Sequence, residues 1–192
     1  MVKPVLGYWD LRGMCESIRY LLHYKNVDFV DKRYVFGQDE WWKNKFNLGL
    51  DFPNLPYYID GDVKLTQSVA ILRYLAGKYG MDGKTDQQKL RVFLAEQQSA
   101  DFREKLRSVV VSDDYEKLKD GFIKNLPDAF NLWKDFLGDA ILDDFPTLKA
   151  YHSRIKNLPE LQDYFNSPTY RRWPLFGPMA KFGGGGDPPD HL

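Results

Sequence analysis

The stretch of sequence that decides the fold is Phe52-Pro53-Asn54-Leu55-Pro56-Tyr57-Tyr58-Ile59-Asp60-Gly61-Asp62-Val63-Lys64-Leu65-Thr66-Gln67-Ser68. Within it, the Asp60-Gly61 pair lies between two short apolar runs, a pattern that is typical of a β-hairpin with a tight turn. The apolar run after Ser68 predicts a helix with Ser68 at its N-cap. Because unpaired N–H groups and the helix dipole attract anions, we predict that Gln67 and Ser68 hold the carboxylate of a small ligand.

The composition indicates a globular protein with neither a nucleic-acid nor a membrane partner. Of its 192 residues 43% are hydrophobic, and 27 basic residues balance 27 acidic ones, so the formal net charge is zero. A nucleic-acid-binding surface needs an excess of positive charge. A membrane span needs a longer apolar run than any in this sequence.

The single cysteine, Cys15, excludes an internal disulfide and favours a cytosolic location. The N-terminal residues lack the long apolar core of a signal peptide, which agrees with that location. The histidines His23, His152 and His191 are too scattered to form a metal site with Cys15, so no metal is expected.

Hydrophobic periodicity divides the chain into an α/β part and a helical part. In the first part we predict strands over residues 5–9 and 28–35, a helix over residues 15–24, a short helical or irregular segment over residues 41–45, the hairpin, and a helix from residue 68 to near residue 80. The order β-α-β and then β-β-α predicts a compact α/β domain over residues 1–82.

A short polar segment, residues 81–86, is typical of a linker, and only helical patterns follow it. The predicted helices of this second domain, residues 88–192, cover residues 88–111, 115–137, 147–155 and 161–165. Pro127 is expected to kink the second of these helices. The tail from residue 177 contains four consecutive glycines and is expected to be flexible.

Several ordered motifs resemble those of the cytosolic glutathione S-transferases, and most closely the mu class and its flatworm relatives. The motifs are Leu6-Gly7-Tyr8-Trp9-Asp10-Leu11-Arg12-Gly13, Asn54-Leu55-Pro56 and Lys64-Leu65-Thr66-Gln67-Ser68. The resemblance is dense to residue 137 and resumes at residue 144. It implies a thioredoxin-like N-terminal domain followed by an abbreviated all-helical C-terminal domain, that is, an α/β domain plus an all-α domain.

The resemblance assigns the chemistry to Tyr8, because a tyrosine in this motif activates glutathione in the family. A phenol at the end of a first strand can donate a hydrogen bond to a thiolate. That bond lowers the pKa of the thiol and raises the population of the nucleophile. From the sequence pattern alone, a tyrosine packed in the strand would be an equally good interpretation, since the chain has 12 tyrosines.

The resemblance also implies which residues hold the glycyl end of glutathione. They are Trp9, Trp41 and Lys45, and the lysine and indole N–H groups suit a carboxylate. The spacing to Lys45 favours Trp41, but the neighbouring Trp42 is an alternative.

Two further motifs are expected to hold the rest of the peptide. The backbone at Asn54 and Leu55 resembles the loop that pairs with the cysteinyl part, with Pro56 in the cis form. Gln67 and Ser68 resemble the residues that take the γ-glutamyl carboxylate. Capping and anion binding use the same helix N–H groups, so the two interpretations of Ser68 are compatible.

The family is dimeric, and the resemblance therefore implies a homodimer. Phe52 matches an aromatic residue that inserts into the partner subunit, and the face around Arg73 is expected at the interface. Asp101 matches a residue that reaches the γ-glutamyl ammonium across the dimer. Met14 is expected to line the electrophile pocket beside Tyr8.

The chain departs from the family at two places. Between residues 138 and 146 it lacks the capping box and the long central helix that the family has there. We expect this loss to leave apolar helix faces either uncovered or covered by rearranged neighbours. At Val111 the relatives often carry a tyrosine that helps an electrophile to react. Valine cannot donate a hydrogen bond, so weakened or altered electrophile selectivity is expected.

The function that follows from the resemblance is conjugation of glutathione to small hydrophobic electrophiles, a detoxification reaction. One alternative is a weakly active ligand-binding or crystallin-like structural protein on the same scaffold, which the missing helix and Val111 favour. Another alternative is a glutaredoxin-like thiol oxidoreductase that uses Cys15. The lack of a second cysteine at C-x-x-C spacing favours a half-buried structural role for Cys15 instead.

Overall fold

The computed structural model describes residues 2–137 and 153–189. The predicted shortening of the helical domain near residues 138–146 lies outside this part of the chain, as does most of the helix expected over residues 147–155. Residues 153–156, at the end of that predicted helix, are helical.

A four-stranded mixed sheet forms the centre of the first half. Its strands are β1 (Val5–Trp9), β2 (Val30–Tyr34), β3 (Tyr57–Asp60) and β4 (Val63–Thr66), in the order β2-β1-β3-β4. β1 pairs with β2 in parallel and with β3 antiparallel, and β3 pairs with β4 antiparallel. The predicted hairpin is confirmed, with Gly61 (φ 60°) and Asp62 forming its turn.

Three helices pack on this sheet. They are α1 (Glu16–Tyr24), which follows a turn of 3₁₀ helix at Gly13–Cys15, α2 (Glu40–Asn44) and α3 (Ser68–Lys78). The core between helices and sheet contains the fully buried side chains of Leu6, Ile18, Leu22, Ile71 and Leu75. The predicted β-α-β and β-β-α order is confirmed, and with it the thioredoxin-like fold of this half.

The second half contains the helices α4 (Asp86–Val110), α5 (Tyr115–Lys124), α6 (Leu126–Leu137) and α7 (Pro159–Phe165). Thr85 and Gln88 form a capping box at the start of α4. The prediction of one kinked helix over residues 115–137 is wrong, because α5 ends before α6 begins. Pro127 occupies the first turn of α6, where a helix does not need its missing N–H.

Residues 167–186, called the C-terminal segment below, are hydrogen-bonded to themselves and to α4. The N–H groups of Leu175 and Phe176 donate to the carbonyl of Gly183, and the N–H of Lys181 donates to the carbonyl of Val110. The flexibility expected from residue 177 onward stays a prediction, although these hydrogen bonds give part of that stretch a defined backbone course. The glycine at 183 has a φ of 77° and allows the chain to turn back on itself.

A buried guanidinium joins the sheet, α1 and α7. Arg19 is fully buried, and its Nε donates to the Asp31 carboxylate at 3.1 Å. Its Nη1 donates to the carbonyl of Leu11 at 2.9 Å and to Glu16 at 3.2 Å. The Tyr164 hydroxyl in α7 donates to the same Glu16 carboxylate at 3.1 Å. Burying these charges is tolerable only because they neutralise one another.

A second ion-pair cluster fastens the C-terminal segment to the end of β1. Arg171 donates two hydrogen bonds to the Asp10 carboxylate, at 2.9 and 3.1 Å. Arg33 also donates to Asp10, at 3.1 Å, and to the carbonyl of Thr169 at 2.7 Å. Burial by itself raises the pKa of Asp10, but the hydrogen bonds and charges of the two arginines outweigh it and lower that pKa below its usual value.

Apolar side chains are exposed on α4 to α6, and the effect expected from the missing helix stays a prediction because that region lies outside the described residues. Leu90, Leu94, Ile123 and Leu132 each expose more than half of their surface. A cavity of about 420 Å³ also lies between α1 and the chain leading into α7, and its lining includes Tyr20, Leu21, Leu72, Met81, Leu158 and Leu161. Within the described ranges, no helix combines the length and hydrophobicity that crossing a membrane requires.

We predict that the Arg19→Met variant is destabilised by about 3 kcal/mol, because the buried carboxylate of Glu16 loses its guanidinium partner and the half-buried Asp31 keeps only Arg33. Urea unfolding of the two proteins measures this difference. Arg107→Met is the matched control, since Arg107 pairs with Glu104 at the surface of α4, where ion pairs contribute little. Equal losses of stability in the two variants would contradict the role given to Arg19.

Candidate functional site

Tyr8 lies at the end of β1, where the chain leaves the sheet and enters the 3₁₀ turn. Its side chain is buried, and its hydroxyl oxygen accepts a long hydrogen bond of 3.5 Å from the N–H of Met14. Among the residues that the structure describes, none accepts the phenolic proton. The hydroxyl is therefore a donor available to a bound ligand.

Gly13 allows the turn after β1 to approach the Tyr8 hydroxyl. Its φ is 43°, and a Cβ at this position would lie 2.8 Å from the hydroxyl oxygen and 2.6 Å from Cδ1 of Leu11. A larger residue would have to displace the tyrosine or the turn. The glycine is thus part of the site although it has no side chain.

Burial raises the pKa of Tyr8 above its usual value, and the hydrogen bond from Met14 opposes this shift to a smaller extent. The positive charges of Arg19 and Arg103 also lower this pKa. The net effect keeps the phenol protonated at neutral pH, which is the form that can donate a hydrogen bond.

Arg103 is a site residue that the sequence analysis missed. It lies half-buried on α4, far from the motifs of the first domain, and acts on Tyr8 through its charge. Most positions of α4 are polar, and its long charged sequence gives no periodic signal that distinguishes one arginine from another. Only the fold, which brings its charge within electrostatic range of Tyr8, reveals it.

Aromatic rings surround the residues expected at the glycyl end. Trp9 stacks on Phe36, with ring centroids 4.3 Å apart. Trp41 is buried in the core, whereas Trp42 is exposed. The Lys45 ammonium lies 5.8 Å from the ring centroid of Trp41 and 5.2 Å from that of Trp42. The lysine therefore contacts both candidate tryptophans.

The loop before β3 has the expected backbone form at Pro56, since the Leu55–Pro56 peptide bond is cis. The side-chain oxygen of Asn54 accepts a hydrogen bond of 2.9 Å from the N–H of Leu55. Of the backbone groups expected to pair with a ligand, the N–H of Leu55 is thus already bonded to a neighbouring side chain. A ligand that uses this N–H must displace or share the asparagine.

The placement of Ser68 at the N-cap of α3 is wrong by one residue. Gln67 occupies that position with a φ of 70°. Ser68 is the first residue of the helix, and its side chain is buried. A positive φ is costly for a residue other than glycine, and such strain often accompanies binding sites. The N–H groups of the first turn of α3 remain available beside these two residues.

The remaining candidates lie at the edge of the site or away from it. Met14 is exposed beside the Tyr8 hydroxyl, and Val111 follows the last residue of α4. Asp101 lies on an exposed face of α4. In the described part of this single chain it makes no hydrogen bond or ion pair with the other candidates, and its role stays a prediction.

Cys15 is fully buried at the start of α1. Burial raises the pKa of its thiol to about 12. The reactive thiolate is therefore disfavoured, which argues against a thiol oxidoreductase. Within residues 2–137 and 153–189, no group of three or more His, Cys, Asp or Glu side chains is arranged to hold a metal ion.

Comparison with known sequences gives consistent matches. Residues 4–77 match the family model "Glutathione S-transferase, N-terminal domain". A glutathione S-transferase of Dermatophagoides pteronyssinus is 41% identical, over 88% of this chain and 96% of the relative. The class-mu 26 kDa isozyme 1 of Fasciola hepatica is also 41% identical, over 97% of each chain. The latter alignment runs over 215 residues, more than the 192 of this chain, so the relative has residues without a counterpart here.

Solved structures show the same similarity. The glutathione S-transferase Blo t 8 superposes with a TM-score of 0.75 at 31% identity, over 93% of this chain and 99% of that one. The Pi-class enzyme of Onchocerca volvulus superposes with a TM-score of 0.79 at 27% identity, over 93% of this chain and all of the other. Because relatives that are 41% identical are matched over most of both chains, the chain belongs to the glutathione S-transferase family.

Proposed function

We propose that this chain conjugates the thiol of glutathione to small hydrophobic electrophiles, with Tyr8 as the catalytic residue. The observation that carries the proposal is the hydroxyl group of Tyr8, which is buried near the end of β1. In the described part of the chain no residue accepts a hydrogen bond from it. The mu-class and other glutathione S-transferases among its relatives support it. The crystallin-like alternative is not favoured, because the related proteins are named as transferases.

The reaction needs a thiolate at neutral pH. A hydrogen bond from the Tyr8 hydroxyl to the sulfur stabilises the thiolate relative to the thiol and lowers the thiol pKa. The thiolate then attacks an electrophilic carbon, a C–S bond forms, and the leaving group departs with the bonding electrons. The proton of the thiol passes to solvent when the thiolate forms, so Tyr8 keeps its own proton.

Binding sites at both ends of the peptide would hold the sulfur beside Tyr8. Gln67 and Ser68 would bind the γ-glutamyl carboxylate at the N-terminus of α3, where helix N–H groups attract an anion. Lys45 and the tryptophans beside it would bind the glycyl carboxylate, and the Leu55 backbone the cysteinyl unit. Fixing the thiol in this way removes part of the entropic barrier to attack.

The electrophile would occupy the space between Tyr8, Met14 and α4. The exposed Met14 side chain supplies an adaptable apolar surface. Arg103 supplies a positive charge that favours electron-withdrawing groups, because these carry the negative charge that develops on attack. Val111, at the end of α4, would offer no hydrogen-bond donor to such a substrate.

We also propose a cytosolic homodimer. Phe52 exposes 74% of its surface, so its ring is free to insert into a partner subunit. On the face around Arg73, the guanidinium covers the ring of Phe93 at 4.6 Å and pairs with Glu96 at 2.6 Å. In a dimer, Asp101 of one subunit would reach the glutathione bound to the other. The unpaired Cys15 agrees with a reducing compartment.

We predict that the purified chain conjugates glutathione to 1-chloro-2,4-dinitrobenzene and that Tyr8→Phe lowers kcat/KM about 10- to 100-fold, the contribution of one hydrogen bond to a charged group. The loss should be largest below pH 8. The midpoint of the pH profile should rise by about one to two units in the variant, toward the pKa of an ordinary thiol.

Cys15→Ser is the control for this experiment, and it should retain conjugating activity because the thiol is buried and protonated. A loss equal to that of Tyr8→Phe would overturn the assignment. If the protein is retained on immobilised glutathione but turns over none of several electrophiles, the alternative of a ligand-binding protein on the same scaffold would be supported instead.

We predict that Gly13→Ala lowers kcat/KM by about tenfold or more, because the added methyl group displaces the Tyr8 hydroxyl. Gly61→Ala is a matched control, since Gly61 has a similar φ of 60° but open space around its Cβ position. Both changes should cost about 1 kcal/mol of stability through backbone strain. Equal kinetic effects would mean that strain, rather than contact with Tyr8, is responsible.

We predict that Phe52→Ala shifts the protein from dimer to monomer in light scattering coupled to gel filtration, because the variant lacks the inserted ring. Phe46→Ala is the matched control, as Phe46 exposes 75% of its surface outside the proposed interface. A wild-type monomer, or a dimer that persists in Phe52→Ala, would contradict this interface.

A further inference from the structure

The ammonium group of Lys45 lies among three aromatic rings. Its Nζ is 4.9 Å from the ring centroid of Phe46, 5.2 Å from that of Trp42 and 5.8 Å from that of Trp41. The face of an aromatic ring attracts a cation, most strongly in tryptophan. Two of the rings are at the surface, since Trp42 exposes 60% of its area and Phe46 exposes 75%. Large exposed rings around one lysine call for an explanation.

The charge of Lys45 has no acidic partner in the described part of the chain. The two acidic residues at the start of α2 are paired with other lysines, Asp39 with Lys43 at 3.2 Å and Glu40 with Lys32. Lys45 thus keeps a positive charge that the rings position but do not neutralise. Such an arrangement suits an anion that is supplied from outside the chain.

Trp42 also connects this lysine to the rest of the site. Its ring centroid lies 6.4 Å from that of Trp9, which in turn stacks on Phe36. Trp9 immediately follows Tyr8 in β1. The Trp42 and Trp9 rings therefore connect Lys45 to the strand that carries Tyr8.

We propose that Trp42 is a positioning residue for the glycyl carboxylate of glutathione and acts through Lys45. This inference rests on the proposed function and makes it more specific. The indole holds the ammonium in place before the ligand arrives, so less side-chain freedom is lost on binding. It also covers one side of the ammonium–carboxylate pair, and the pair is stronger where water is excluded.

A merely structural role for Trp42 would predict a different result. If the ring only stabilised α2, its removal would weaken every ligand of the site to the same extent. If it acts through Lys45 on the glycyl carboxylate, only ligands that carry that negative charge should be affected. Glutathione and its glycyl monoethyl ester differ at this one group and separate the two cases.

The test is isothermal titration of these two ligands into the full chain and into Trp42→Leu. We expect the variant to bind glutathione about fivefold more weakly, the effect of one cation–π contact, and to bind the ester as tightly as the wild type does. Tyr24→Leu is the matched control, because Lys25 covers the Tyr24 ring at 5.4 Å outside the site. This control should bind both ligands as the wild type does.

A second pair of variants tests whether Trp42 acts through Lys45. In a Lys45→Met background, the Trp42→Leu change should no longer weaken glutathione binding. An equal loss for both ligands, no loss for either, or a loss that persists without Lys45 would overturn the inference while leaving the transferase proposal intact. Wild-type protein that binds neither ligand would instead overturn the proposed function, and the role of Trp42 with it.

Discussion

The buried guanidinium of Arg19 is the constraint on which the geometry of the site depends. Removing a charge from water costs free energy. The charge of Arg19 is balanced by two carboxylates and a carbonyl, which belong to β2, α1 and the turn after β1. The carbonyl belongs to Leu11, three residues beyond Tyr8. The interaction that joins the helix to the sheet thus also fixes the turn that brings Gly13 against the phenol.

The same turn is held from its other side by the far end of the chain. The N–H groups of Arg12 and Gly13 donate to the carbonyls of Pro174 and Leu175, at 3.3 and 3.0 Å. The ion pairs of Asp10 with Arg33 and Arg171 secure that C-terminal segment. The site is therefore assembled from the first strand and from residues about 160 positions later. Its geometry requires both halves of the protein to be folded.

Sequence reasoning succeeded where the determinant is local. The hairpin at Gly61 depends on neighbouring residues and was predicted from them, whereas the cis bond before Pro56 was expected only from the resemblance to the glutathione S-transferases. Sequence reasoning says little where a contact between distant residues decides. The chain from residue 177 has a composition typical of a flexible tail, but hydrogen bonds to α4 and within the segment hold it.

Smaller errors had the same origin. A proline can kink a helix or open a new one, and the break before Pro127 is one that sequence alone does not distinguish from a kink. Arg103 is one of several charged residues on a polar helix, and only the fold places its charge near Tyr8. The assigned glutathione contacts follow from motifs, and the occupied N–H of Leu55 shows a detail that motifs do not contain.

Burial also explains why the fold favours Tyr8 over Cys15 for chemistry. Removal from water raises the pKa of both groups, so both are protonated at neutral pH. For a cysteine nucleophile the protonated form is inactive, because the thiolate is the reacting species. For a phenol that must donate a hydrogen bond, the protonated form is the active one, and a low dielectric strengthens its bond to a thiolate. One physical effect therefore suppresses the chain's own thiol and keeps Tyr8 in the form that the proposed function requires.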